Sequence, residues 1–194
     1  MKYIVMDLEW NQPTVARKKK AGLHGEIMQI AAVKITEDLE TAGEFNQMVK
    51  PLYYPKINRD IRELTLLTEE ELYSGLPFPE AAEEFRKWCG DDFVFVTWGP
   101  SDTSMLRNNM EMYGIDAGWI PDTFDAQLVF DDQFMQEGRS FALNYALYYF
   151  REKPDGTHNA LADVYNTIKV MKHMDMDDAF QDEYYICGNL EENV

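Results

Sequence analysis

KYIVMDL, residues 2–8, with Glu9 directly behind it, is the stretch on which the fold turns. It is short, apolar and rich in β-formers, so it reads as a buried strand. Asp7 and Glu9 sit two apart, and side chains alternate faces along a strand, so both carboxylates point the same way. Two like charges on one face of a central strand repel each other and lose hydration, and a bound cation removes both problems. The pair is a weak signal by itself, because a solvated strand end with incidental acids reads the same.

Working outward, residues 11–24 carry Pro13, a basic run and Gly22 and read as a loop. EIMQIAAVKIT (26–36) suits a second buried strand, and GEFNQMVK (43–50) alternates like a strand nearer an edge. A short acidic turn joins these two, which implies an antiparallel hairpin. Two short helical pieces follow at 59–65 and 68–74, where Thr68 and Glu71 have capping-box spacing. PEAAEEFRKWC (79–89) is an amphipathic helix with Pro79 in its first turn and Gly90 at its end. DFVFVTW (92–98) is a buried strand. Then come a helix over 101–113 capped by Ser101, a short strand and helix within 121–135, a helix over 140–150 capped by Ser140, and a last helix over 158–173. Three strands, helices, a strand and then mostly helices imply a mixed sheet with helices on its faces.

The 194 residues suit one compact domain, and 45% hydrophobic with 13% aromatic residues gives ample material for a core. No run approaches the ~18 apolar residues of a membrane span. The N-terminus carries carboxylates where a signal peptide would be apolar. Cys89 and Cys187 have neither disulfide-framework nor zinc-ligand spacing, so a reducing cytoplasm is the expected compartment. The net charge of −17 excludes a generic charge-driven nucleic-acid binder and an anionic-membrane binder. It leaves room for an enzyme that meets phosphates through metal ions. Acid is concentrated from Met174 to Val194, which holds seven acidic residues and no Lys or Arg, whereas Arg17 to Lys20 form one basic run.

Two further segments carry chemistry. Asp102 follows the strand 92–98 through the turn Gly99-Pro100-Ser101, at the carboxyl edge where open α/β sheets place their sites. An acid in a helix's first turn is also favoured by the dipole alone. In GTHNALADVYNTIKV, His158 and Asp163 are five apart, about 140° around a helix, so His158 belongs at or before the helix start and Asp163 inside it. Gly156 and Thr157 supply the turn and a candidate cap. His24 and His173 fit a loop end and a helix C-terminus.

Together, Asp7-Leu8-Glu9, Trp98-Gly99-Pro100-Ser101-Asp102 and His158-Asn159-Ala160-Leu161-Ala162-Asp163 resemble the three motifs of the DEDDh 3′→5′ exonucleases. The similarity runs over residues 1 to 173 and includes EIMQIAAVKI, Phe45 to Pro51, LTLLTEEEL and Asn166-Thr167. The form of the second motif is most similar to the branch with the histone-mRNA and small-RNA exoribonucleases and the bacterial sporulation-inhibitor proteins. Asn11 departs from the family, many members of which have Thr there. The resemblance implies an α/β, ribonuclease-H-like three-layer fold with a five-stranded mixed sheet. It implies an exonuclease domain over 1–173, with 174–194 an acidic appendage that either folds back through Phe180, Tyr184, Tyr185 and Ile186 or stays mobile.

It further implies that Asp7, Glu9, Asp102 and Asp163 hold two Mg²⁺ or Mn²⁺ ions, which hard oxygen ligands suit, and that His158 is the general base. Leu8, Trp10, Trp98 and Ala160 are then the expected substrate contacts, Trp10 as a stacking platform. The expected substrate is the 3′ end of single-stranded or short RNA. Three alternatives stand beside it: the same chemistry on DNA, a regulatory protein that keeps the fold and docks a basic protein partner through its acidic tail, and, more remotely, a glycosidase-type carboxylate pair.

Overall fold

The computed structural model describes residues 2–12, 25–65, 67–136, 138–156 and 158–187. The basic run Arg17 to Lys20, His24, Thr157 and the tail beyond Cys187 lie outside them.

β1 (Lys2–Asn11) pairs antiparallel with β2 (Glu26–Ile35), from Tyr3↔Ile35 to Asn11↔Glu26. β2 in turn pairs antiparallel with β3 (Thr41–Lys50). On its other side β1 runs parallel to β5 (Phe93–Thr97), but only from Lys2↔Phe93 to Val5↔Val96. β6 (Thr123–Asp125) lies parallel beyond β5. The mixed sheet flanked by helices is the expected ribonuclease-H-like arrangement, but it has seven strands rather than five, in the order β4-β3-β2-β1-β5-β6-β7. The two extra strands, β4 (Leu76–Pro77) and β7 (Ile186–Cys187), are two residues long. Such pieces are too short to show any alternation, and β7 pairs with Phe124 from far along the chain.

Helices cover both faces. On one face, Ile4, Met6 and Leu8 of β1 pack with α3 (Phe78–Cys89) and α4 (Ser101–Met112), around Phe78, Phe85, Phe95 and Leu106. On the other, Val5, Val33 and Val96 pack with α5 (Ala126–Phe130), α6 (Leu143–Phe150) and α7 (Ala160–Met171). The period-2 alternation of β1 thus decides the layer each residue meets: odd positions face α7, even positions face α3 and α4. The short helices α1 (Arg59–Thr65) and α2 (Glu69–Ser74) follow β3, and the Thr68–Glu71 capping box forms as expected. α8 (Met176–Ala179) leads into the segment whose Phe180 ring stacks on Tyr3 at 3.7 Å. Among the described residues no helix is long and apolar enough to cross a membrane.

Three element ends differ from expectation. β1 continues past residue 8 to Asn11, through a bulge between Glu9 and Trp10. Ser101 is already the first helical residue of α4, behind Pro100, and makes no cap. α6 begins only at Leu143, behind Ala142, so Ser140 is not its cap either. The carbonyl of Phe141 is held by Trp98 Nε1 (2.9 Å) and Gln127 Nε2 (2.7 Å), which keeps that lead-in outside the helix.

Candidate active site

β1 reaches past its last β5 partner, Val5, so the main-chain N–H of Leu8 has no strand to bond. Asp102 takes that place: its Oδ1 accepts from Leu8 N at 2.9 Å. The approach depends on the sharp turn at Gly99, whose φ of +88° suits only glycine and where a Cβ would stand 2.9 Å from Gln127 Oε1. Asp125, the N-cap of α5, accepts from Gly99 N at 3.1 Å and fixes the same turn.

Asp7 and Glu9, both odd positions, face α7, the helix that carries Asp163. A carboxylate oxygen from each of Asp7, Glu9 and Asp163 lies within 4.8 Å of the others. Asp163 sits in the first turn of α7, behind the N-cap Asn159, whose side chain accepts from Ala162 N. Its Oδ2 accepts from His158 N (3.0 Å) and its Oδ1 from Asn166 Nδ2 (3.3 Å). His158 stands in the loop ahead of α7 with φ of +57°, a left-handed conformation that such a tether sustains. Asn166 also spans the loop, binding Gly156 O and Asp155 N (both 2.9 Å).

The electrostatics follow from this crowding. Burial, then Asp102, Asp163 and Glu9, hold Asp7 well above the ordinary carboxylate range. Burial, then Asp163 and Asp102, push Glu9 up to about 7. Asp102 is also pushed up to about 7, mainly by burial, against the lowering effect of the Leu8 N–H. Burial raises Asp163, while Asn166 and His158 pull it back. The neutral forms are favoured because the fold brings four acids close to one another. An oxygen-only donor set of this kind fits a hard divalent cation and gives zinc or copper no sulfur or imidazole cluster.

Leu8 is buried in the α3–α4 layer, and Ala160 is fully buried with its N–H donating to Gln29 Oε1. Trp10, half-buried, packs against the α3–α4 cluster. Trp98 packs its ring against Phe130. Asn11 is a buried anchor: its side chain binds Tyr54 O, Lys56 O and Asn58 N at 2.8 to 2.9 Å. Gln29 and Asp125 were not singled out from sequence. The signal for Gln29 was present, as one amide in an otherwise apolar run.

A half-buried carboxylate cluster at the carboxyl edge of a mixed sheet, fed by three separate segments, is the acidic centre of the fold. The sequence model of the family described as Exonuclease (RNase T) matches residues 4–171, and the chain belongs to that family. A probable 3′-5′ exonuclease of Bacillus subtilis (strain 168), KapD, is 22% identical over 176 residues, covering 90% of this chain and 84% of that protein. A PolC-type DNA polymerase III of Staphylococcus saprophyticus is 23% identical over 176 residues, which are 89% of this chain but 12% of the polymerase. Among solved structures, the nuclease domain of 3′hExo, a DEDDh family member, bound to rAMP superposes with a TM-score of 0.79 at 18% identity, covering 92% of this chain and 93% of that one. E. coli exonuclease I with a dA16 oligonucleotide gives 0.72 at 16% identity, over 93% of this chain and 42% of that one. At these identities the superpositions show the fold. The expected likeness to the DEDDh 3′→5′ exonucleases holds, and the protein is a nuclease of that type in a family that depends on divalent metal.

Proposed function

We propose that the chain is a 3′→5′ exoribonuclease that releases nucleoside 5′-monophosphates from single-stranded or short RNA. The observation that carries the reading is the meeting of Asp7, Glu9 and Asp163 within 4.8 Å, with Asp102 locked beside them on Leu8 N. Asp7, Glu9, Asp102 and Asp163 hold two Mg²⁺ or Mn²⁺ ions, whose charge offsets the four carboxylates. Such ions supply positive charge at the scissile phosphate and acidify water. His158, tethered through its main chain to Asp163, takes the attacking water's proton. Asn166 and Asn159 hold Asp163 and the start of α7 in register. Cations held there would let a chain of net charge −17 approach a phosphate.

RNA is favoured by the form of the second motif, and by the histone mRNA stem-loop that another structural neighbour's 3′-exonuclease recognises. We assign 1–173 to the exonuclease domain and 174–194 to an appendage of it, because Met174, Met176, Ala179 and Tyr185 join the α7-side core. The compartment that suits two unpaired thiols is the cytoplasm.

The test is digestion of matched 5′-labelled RNA and DNA oligomers with Mn²⁺, Mg²⁺ or EDTA, beside Asp7→Ala. The expected result is a metal-dependent ladder shortening from the 3′ end, faster on RNA and absent in the variant. Faster DNA cleavage turns the assignment to a DNA exonuclease, and no cleavage of either strand by folded protein contradicts it.

A further inference from the structure

Eight large hydrophobic side chains are exposed among the described residues, and three of them lie within five residues of one short helix: Tyr145 (42%), Tyr148 (79%) and Tyr149 (44%) of α6. The opposite face of α6, through Ala146 and Leu147, is used in the core, and Tyr149 also packs its ring on Phe130 and Phe134, which leaves Tyr145 and Tyr148 as the outward rings. Tyr145 and Tyr148 are three apart and share a face. The ring of Phe141 continues that strip by stacking on Tyr145 at 4.8 Å, 29° between planes. Phe141 is in turn fastened to the second motif by the hydrogen bonds from Trp98 and Gln127. The strip therefore begins at the segment that delivers Asp102 and leads outward along α6.

We infer that Phe141, Tyr145 and Tyr148 form a stacking track for the unpaired bases just upstream of the 3′-terminal nucleotide. This rests on the exonuclease reading above. Three features favour a nucleic-acid strand as the occupant. The strip is continuous with the residues that shape the site. Residues 143–150 carry no charged side chain in a chain of net charge −17, so the strand is met at its uncharged base faces rather than at its phosphates. The Phe141 and Tyr145 rings are 4.8 Å apart and Tyr148 lies about 4.5 Å further along the helix axis, a run that matches about three stacked bases. An acidic enzyme held to its substrate in this way shows a shallow salt dependence, because few phosphate counterions are released.

The experiment compares two 5′-fluorescein single-stranded octamers. One carries all its bases, and the other has abasic residues at the third to fifth positions from the 3′ end, which keeps the phosphates and removes the stacking faces. For the wild-type chain the abasic octamer is expected to show a KM about 10-fold or more higher. In the double variant Tyr145→Ala/Tyr148→Ala the KM of the complete octamer rises to the abasic value, while the abasic KM stays where it was. Tyr145→Phe/Tyr148→Phe retains the difference, and Tyr184→Ala, an exposed tyrosine outside the strip, serves as the control. Both alanine sites are exposed, and the circular dichroism spectrum verifies folding.

Equal KM for the two octamers in the wild type, or a gap that survives the double variant, overturns the track. If the wild type cleaves neither octamer, the exonuclease reading fails separately. Anisotropy of the same octamers in Ca²⁺ then stands in for KM: a Kd gap removed by the double variant supports the track, and no gap refutes it.

Discussion

Glu9 and Glu26 sit at the same end of the β1–β2 hairpin and have opposite fates. Glu26 is 1% exposed, yet its carboxylate receives Leu52 N (2.6 Å), Tyr53 N (3.0 Å), Tyr54 N (2.6 Å) and the Tyr113 hydroxyl (2.9 Å). Its charge is fully used in tying the chain after β3 to the start of β2. Glu9 finds no donor among the described residues and faces Asp7, Asp163 and Asp102 instead. The side chain is the same and so is the strand end, but Glu26 is fully buried among donors whereas Glu9 is half-buried among acids. A buried acid given donors is a structural clamp, whereas an acid packed against other acids has its charged form disfavoured.

That contrast breaks most visibly at Asp7. Asp7→Asn is expected to lower cleavage about 10³-fold or more, while the metal-free melting temperature at pH 8 holds or rises, since a repelling charge is gone. Oligomer digestion beside thermal unfolding in EDTA checks both halves. Glu26→Ala should invert the pattern. Stripping the three N–H groups of their acceptor costs about 2–4 kcal/mol by urea unfolding, and the folded remainder still cleaves.

The contrast sharpens with pH. Glu9 and Asp102 have folded values of about 7, above their ordinary 4.5 and 3.8. Groups raised in this way contribute their stability in full below about pH 4 and lose it as pH rises through about 7. Melting curves should therefore show the metal-free chain weakening over that window, and Mg²⁺ raising the melting temperature by several degrees more at pH 8 than at pH 5.5. At the smallest end, Glu83→Ala removes an exposed partner of Lys87 and should leave the melting temperature within about a degree.

Much of this was legible in the sequence because the determinants are local. The alternation of residues 2–8 already puts Asp7 and Glu9 on one face, and the order of the three motifs brings Asp102 and Asp163 to the same sheet edge. What sequence could not show depends on partners far along the chain. Asn11 departs from the family at a motif-flanking position, but its role as an anchor shows only when residues 54 to 58 fold against it. The buried amide of Gln29 meets Ala160, 131 residues away. The even-numbered position of Trp10 hints that it turns away from the acids, a parity argument that the bulge after Glu9 obscures. The serines at 101 and 140 looked like caps because the pinning of Phe141 and the turn at Gly99 are tertiary effects that no local pattern encodes.

The central claim is that the acids around Asp7 form a cation site. Calorimetric titration of Mn²⁺ into the metal-free chain at pH 8 tests it most directly. The account predicts two ions bound per chain, with binding lost in Asp7→Asn and kept in Glu26→Gln. Absence of binding to the folded wild-type chain, or binding unchanged by Asp7→Asn, would contradict it.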